Sequence, residues 1–242
     1  MRVPTSIPGF DELVEGGFVE NDVILITGGP GAGKTTFGIQ YLYEGITLYN
    51  EPGVYLTLEE SPARTIRNMW RFNWDLERLI KEDKLRIISV DPLTYGKHAH
   101  QSRNSDSNPD VKDLTIEKLV KNITDHIHEI GAKRLVIDSI TSLKISANPV
   151  EVRHLILGFI TQLEKLDCTT LVTSEVPDKS ENFSVEEYLA EGVIRLHVFR
   201  VGGRKSRAIE ILKMRGVKHD EQIHHYAITD NGIVIRKGTA SP

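Results

Sequence analysis

Residues Gly28-Gly29-Pro30-Gly31-Ala32-Gly33-Lys34-Thr35 stand directly between an apolar, β-rich run, Val23-Ile24-Leu25-Ile26-Thr27, and a stretch of helical character from Thr35 to Tyr49. They satisfy the pattern G-x-x-x-x-G-K-[ST] in the one context that gives it meaning, after a strand and before a helix. Few folds accept such a segment. The strand must end at an open sheet edge and the helix must start there, which an α/β layout provides. Phosphate oxygens need several backbone N–H groups turned into one concavity, and glycines allow both the angles and the close approach. The helix that follows adds the positive end of its dipole. Gly29, Pro30, Gly31, Ala32, Gly33 and Thr36 would line the cradle, Lys34 would reach the β- and γ-phosphates, and the Thr35 hydroxyl would ligate Mg²⁺. A chance match in a chain of this size is on the order of one in a hundred. The plain alternative is a glycine turn that joins strand to helix.

Four further runs resemble the first: Val54-Tyr55-Leu56-Thr57-Leu58, Leu85-Arg86-Ile87-Ile88, Leu135-Val136-Ile137 and Thr170-Leu171-Val172-Thr173. Their apolarity is continuous, which marks strands covered on both faces, as in a parallel sheet. Helix-like stretches lie between them at Pro62 to Phe72, Thr115 to Ile130 and Val150 to Leu166. From Val193 the style changes. Two β-rich runs, Val193 to Val201 and Ala208 to Met214, flank Gly202-Gly203-Arg204-Lys205, a hairpin signal. The expected fold is therefore α/β, three layers of helix, sheet and helix, with a mostly parallel central sheet that ends in antiparallel strands. At 242 residues one domain over 1–242 is expected, interrupted by a polar surface loop from Thr94 to Asp113.

Leu135-Val136-Ile137-Asp138 is a buried strand that ends in a carboxylate, the form of the second magnesium-holding element of phosphate-loop nucleotidases. Asp138 would hold the metal's hydration shell, or else cap the next segment. Hydrolysis also needs a group that polarises the attacking water. Glu59 and Glu60 follow the strand Gly53 to Leu58 and so fall at the edge where the phosphate loop lies. From the residues alone the pair reads equally as acids at the start of the helix that Ser61-Pro62 opens.

Composition excludes several classes. With 39% apolar residues, 26% charged residues and a net charge of -4, no global basic field points to nucleic acid. The lone Cys168 can form no internal disulfide, and Met1-Arg2-Val3-Pro4-Thr5 lacks the apolar core of a secretory signal, so a cytoplasmic protein is expected. No apolar run approaches the ~20 residues that span a bilayer. Arg204, Lys205 and Arg207 could touch a nucleic-acid backbone, but three charges supply little affinity at physiological salt. His98 and His100 fall in the polar loop, and the adjacent His224 and His225 point to opposite faces of a strand, so neither pair reads as a metal site. Cys168, before a buried strand, reads as core. Trp70 and Trp74 read as packing or interface.

Together these residues resemble the KaiC-like ATPases of the RecA superfamily, across nearly the whole chain. Thr5-Ser6-Ile7-Pro8-Gly9-Phe10-Asp11-Glu12-Leu13 with Gly16-Gly17 is similar to that family's opening signature. Leu56-Thr57-Leu58-Glu59-Glu60, Val136-Ile137-Asp138-Ser139 and Ile211-Leu212-Lys213-Met214-Arg215-Gly216-Val217-Lys218-His219 match three further blocks in order. The resemblance implies ATP with Mg²⁺ as the bound species and Glu59 and Glu60 as the water-activating residues. It also implies a homo-oligomeric ring, a hexamer, with ATP between subunits: Lys213 and Arg215 would reach the neighbour's γ-phosphate, with His219 near the ribose. Alternation along a strand puts Lys213 and Arg215 on one face; without the resemblance they would read as a solvated strand edge. The circadian clock protein of the family carries two such domains and this chain has room for one. Where the family's autophosphorylating domains carry neighbouring Ser and Thr, this chain has Glu186-Glu187-Tyr188, with Ser184 out of register, so no equivalent phosphorylation cycle is expected. Ser174-Glu175-Val176-Pro177 replaces the Gln or Asn of recombinases. The expected role is regulatory, through a protein partner that the sequence does not name. The alternatives are a nucleotide-gated scaffold with little turnover and a DNA-transacting accessory ATPase.

Overall fold

The computed structural model describes residues 1–90, 116–144, 149–176 and 184–239. The polar stretch from Thr94 to Asp113, with His98 and His100, lies outside the described residues. Strands β1 (Arg2–Val3) and β2 (Phe18–Val19) pair as a small ribbon. The continuous apolar runs supply β3 (Val23–Gly28), β4 (Gly53–Thr57), β5 (Leu85–Ser89), β6 (Arg134–Asp138) and β7 (Thr169–Glu175). The C-terminal third adds β8 (Gly192–Val201), β9 (Arg204–Met214), β10 (His224–Thr229) and β11 (Gly232–Thr239). These nine form one sheet in the order β11-β10-β9-β8-β3-β7-β6-β4-β5. From β8 to β5 every pairing is parallel, while β8, β9, β10 and β11 pair antiparallel.

The helices are α1 (Lys34–Tyr49), α2 (Pro62–Met69), α3 (Leu76–Lys81), α4 (Ile116–Ile130), α5 (Pro149–Leu163) and α6 (Val185–Leu189). Their ends follow from local chemistry. Pro62 opens α2 with its fixed φ, the Asp75 carboxylate caps α3 by accepting from the Arg78 N–H at 2.9 Å, and Asn50 closes α1 in the left-handed region. The helix expected to run to Phe72 breaks at Met69 into a 3-10 turn, Trp70–Phe72. That turn brings Trp74 into the core, stacked 5.6 Å from Tyr43, and leaves Trp70 52% exposed.

Successive residues of β3 point to opposite faces, so Ile24 and Ile26 join one core with Phe10, Phe37 and Tyr41, while Val23 and Leu25 join another with Phe159 and Leu163. Two apolar faces are why the run is continuous, and the result is the expected three-layer αβα arrangement. Cys168 is buried in the second core, where burial pushes its thiol up to about 12. The N-terminal segment is tied down by Asp11, whose carboxylate accepts from the Thr5 N–H and hydroxyl and from the Ser6 N–H at 2.7 to 2.9 Å.

Candidate functional site

The phosphate loop leaves β3 at the carboxyl edge of the sheet and closes into α1. Gly33 precedes the helix at φ 101°, a conformation that residues with a side chain rarely adopt, and a Cβ there would lie 2.9 Å from Ile228 Cδ1. The last hairpin thus packs against the loop from below. Tyr226 donates its hydroxyl to the Ala32 carbonyl at 2.5 Å, and Gln40 of α1 exchanges two hydrogen bonds with the Ile233 backbone. Neither contact was apparent in the sequence, because β10 and β11 join the site from 194 and 193 residues away in the chain. Pro30 and Gly31 lie exposed at the rim, Ala32 is buried, and Thr36 is half-buried in the first helical turn.

Lys34 is buried. Its ammonium donates to the carbonyls of Gly28 at 2.8 Å and Gly29 at 3.3 Å, and stands 3.7 Å from the Glu175 carboxylate at the end of β7. Asp138 is 6% exposed and accepts three hydroxyl hydrogen bonds: Thr35 at 2.6 Å, Tyr55 at 2.8 Å and Thr173 at 2.5 Å. The Tyr55 hydroxyl is pushed well above its ordinary value, first by burial and then by the Asp138 charge, so it remains a donor. The Thr35 hydroxyl and the Asp138 carboxylate are hard oxygens that meet at the mouth of a cradle of backbone N–H groups. That donor set fits a magnesium ion held partly through water beside phosphate. Among the described residues no group of three or more His, Cys, Asp or Glu side chains could hold a metal by itself.

The two glutamates part company. Glu59 accepts from the Ser139 hydroxyl at 2.7 Å and so sits beside Asp138. Glu60 turns toward α2, accepting from Asn68 at 3.3 Å and lying 3.7 Å from Arg64. The Thr57 hydroxyl holds the turn, accepting from the N–H groups of both. Tyr55, Thr173, Ser139 and Glu175 thus escaped the sequence reading as partners of the site. For Tyr55 and Thr173 a signal existed, since a polar residue inside a buried strand must find a hydrogen-bond partner.

Lys213 and Arg215 are elsewhere. Residue Gly28 pairs with Leu196 of β8, whereas Met214 pairs with Gly192, which lies opposite Ile24. At strand rise the two cations are therefore ~15 Å from their own phosphate loop, at the other edge of the sheet. Arg215 lies one residue beyond β9, after a register shift at Val193, yet it shares Lys213's surroundings: burial first, then the Arg215 charge, holds the Lys213 ammonium below its ordinary value. His219 lies in the loop that follows, half-buried, next to Asp220, whose N–H donates to the Leu13 carbonyl. The hairpin tip does approach the phosphate loop, with the Lys205 ammonium 3.3 Å from the Gly31 carbonyl. His224 is buried against Asp220 and His225 faces the other way, as strand alternation requires. Glu186 and Glu187, expected where related domains carry Ser and Thr, are both buried in ion pairs, with Lys144 and Arg195. No helix among the described residues is long and apolar enough to cross a membrane.

Comparison with known proteins agrees with this architecture. A profile of the family described as "ATPase: KaiC" matches residues 3–240. A UPF0273 protein of Methanocaldococcus jannaschii is 37% identical over 97% of this chain and 96% of its own. The circadian clock oscillator protein KaiC of Thermostichus vulcanus is 35% identical over 97% of this chain, which spans 44% of that protein. The crystal structure of a KaiC-like protein from Pyrococcus horikoshii superposes with a TM-score of 0.83 at 36% identity, covering 98% of this chain and 99% of that one. The fold is thus RecA-like, and the family supports nucleotide binding at the phosphate loop. With a profile match along nearly its whole length, the chain belongs to the KaiC ATPase family.

Proposed function

We propose that the chain is a magnesium-dependent ATPase, one domain over residues 1–242, that works as a cytoplasmic homo-oligomeric ring, a hexamer, with ATP between subunits. The observation that carries this reading is the distance between the two halves of the machinery. Lys213 and Arg215 are too far from their own phosphate loop to serve it, which supports a site in which they act on the phosphoryl group bound by a second copy. Gly29, Pro30, Gly31, Ala32, Gly33 and Thr36 wrap the phosphates. Lys34 leaves the Gly28 and Gly29 carbonyls for the β- and γ-oxygens. Thr35 and Asp138 would hold a magnesium ion, which would supply neutralisation of the phosphate charge.

Glu59 is the better placed of the two glutamates to orient water, because it lies on the Asp138 side, and Glu60 supports the turn and α2. His219 serves the ribose of the neighbour's nucleotide. Contact with the γ-phosphate from both sides makes the ring's geometry respond to turnover, which suits a regulatory output to a protein partner. The test is phosphate release alongside light scattering, with and without ATP and Mg²⁺, on wild type, Glu59→Gln, Glu60→Gln and Arg215→Ala. Turnover that requires assembly, Glu59 and Arg215 supports the reading. A fully active monomer removes the ring, and ATP bound without phosphate release makes the protein a nucleotide-gated scaffold. Stimulation by DNA would move it to the recombination accessories.

A further inference from the structure

Lys213 and Arg215, at the end of β9, settle on residues 187 to 191, the last turn of α6 and the two residues that join it to β8. The Lys213 ammonium donates to the carbonyls of Glu187 at 2.9 Å and Tyr188 at 3.2 Å. Arg215 is held twice by one residue. Its backbone N–H donates to the Glu191 carbonyl at 3.0 Å, and its Nη1 donates to Glu191 Oε1 at 2.8 Å.

The segment that holds them is itself fixed from several sides. Glu186, 2% exposed, is paired with Lys144 and accepts from the Ser174 hydroxyl at 2.7 Å; despite burial, that cation and those hydrogen bonds hold its carboxyl below the usual range. The Glu187 carboxylate accepts from Arg195 at 2.5 Å and from the Ser184 N–H at 2.7 Å. The Glu191 N–H donates to the Val23 carbonyl at 3.0 Å, tying the segment to the start of β3. A side chain attached to such a support inherits its rigidity, whereas an exposed arginine alone loses rotamer entropy each time it is placed.

The Arg215–Glu191 contact does not sequester the guanidinium. A single nitrogen of the fork is engaged and the Arg215 side chain is 55% exposed, so the rest of the fork stays open to an oxyanion. We propose that Glu191 is the positioning residue for Arg215, holding the guanidinium in the orientation from which it meets the phosphate bound by a neighbouring copy. This rests on the trans reading above.

The test is a double-mutant cycle on the assembled full-length protein, read as kcat and KM for ATP, with labelled-ATP binding as the check on folding. Glu191→Gln keeps the backbone contacts and loses the ion pair. It should lower kcat roughly fivefold with KM and ATP binding unchanged, and should add nothing in the Arg215→Ala background, measured with enzyme in excess. Equal losses in both backgrounds, or an unchanged or increased kcat, overturn this inference alone. Wild-type turnover by Arg215→Ala overturns the trans reading and this inference with it.

Discussion

Lys34→Ala strips the phosphate loop of its ammonium, and Arg215→Ala strips the opposite sheet edge of its guanidinium; the register of β3, β8 and β9 separates the two lesions by ~15 Å within one subunit. An arginine side chain extends less than half that far, so neither lesion damages the other half-site of its own subunit. If a working site combines the loop of one copy with the cations of the next, each variant alone has every site broken. Loss of an arginine finger costs ~10³-fold or more in related phosphoryl transfers, so both should fall to background. In rings assembled from an equal mixture, a site is intact only where an Arg215→Ala subunit supplies the loop and a Lys34→Ala subunit supplies the cations. Each choice has even odds, so about one quarter of wild-type turnover should return, whatever the size of the ring. Phosphate release after co-assembly from dissociated subunits measures it. If the cations acted in cis, every subunit would still carry a lesion and mixing would recover nothing. That result, with mixed rings shown by mass spectrometry, would refute the reasoning.

Asp138→Asn should leave nucleotide binding in place while shifting the Mg²⁺ dependence of phosphate release upward by more than ~10-fold, because an amide cannot accept all the hydroxyl donors of Thr35, Tyr55 and Thr173; an unchanged magnesium titration would count against it. Arg134 is 0% exposed, paired with Glu51 at 2.7 Å, bonded to the Tyr41 carbonyl and stacked 4.5 Å over the Tyr41 ring. Arg134→Met should cost about 2–3 kcal/mol, less than a fully buried pair because Glu51 can rehydrate, and lower Tm by roughly 5–10 °C. Calorimetry that finds the variant as stable as wild type would show that packing alone suffices there. Burial first, and the Glu191 charge next, push the Asp22 carboxyl up to about 6. The folded protein keeps that proton to higher pH than the unfolded chain, so the group's contribution to stability falls as pH rises from about 4 to about 6 and stays lost above. Asp22→Asn, fixed in the neutral form, should raise Tm near neutral pH by an amount worth less than ~1 kcal/mol, since the site is half-exposed, and the gain should vanish near pH 4.

The sheet was readable where one physical rule acts alone. Continuous apolar runs must be covered on both faces, and β3, β4, β6 and β7 followed within a residue or so of the expected limits. The hairpin of β8 and β9 was readable from Gly202-Gly203 between two β-rich runs. Strand β11 and the short α3 and α6 were not. Gly232–Thr239 becomes a strand because β10 offers its edge and α1 offers Gln40, and Val185–Leu189 becomes a helix because Glu186 and Glu187 find cations from other elements. Arg134 gave no local sign of its burial. Its place is created by Gly45, whose missing side chain leaves room for the guanidinium, where a Cβ would come within 2.2 Å of Arg134 Nε.

The sequence by itself determined the local chemistry: a glycine turn between strand and helix that can bear phosphate, and a carboxylate at the end of a buried strand. Both depend on residues next to one another in the chain, where periodicity and turn chemistry act directly. Tertiary structure decided which of these groups meet. It joined Thr35 to Asp138 across 103 residues, turned Glu59 toward that pair and Glu60 away from it, and set Lys213 and Arg215 at the far edge of the sheet. Strand order and register settle such distances, and they arise from packing of the whole sheet between its helices, which no local run of residues specifies.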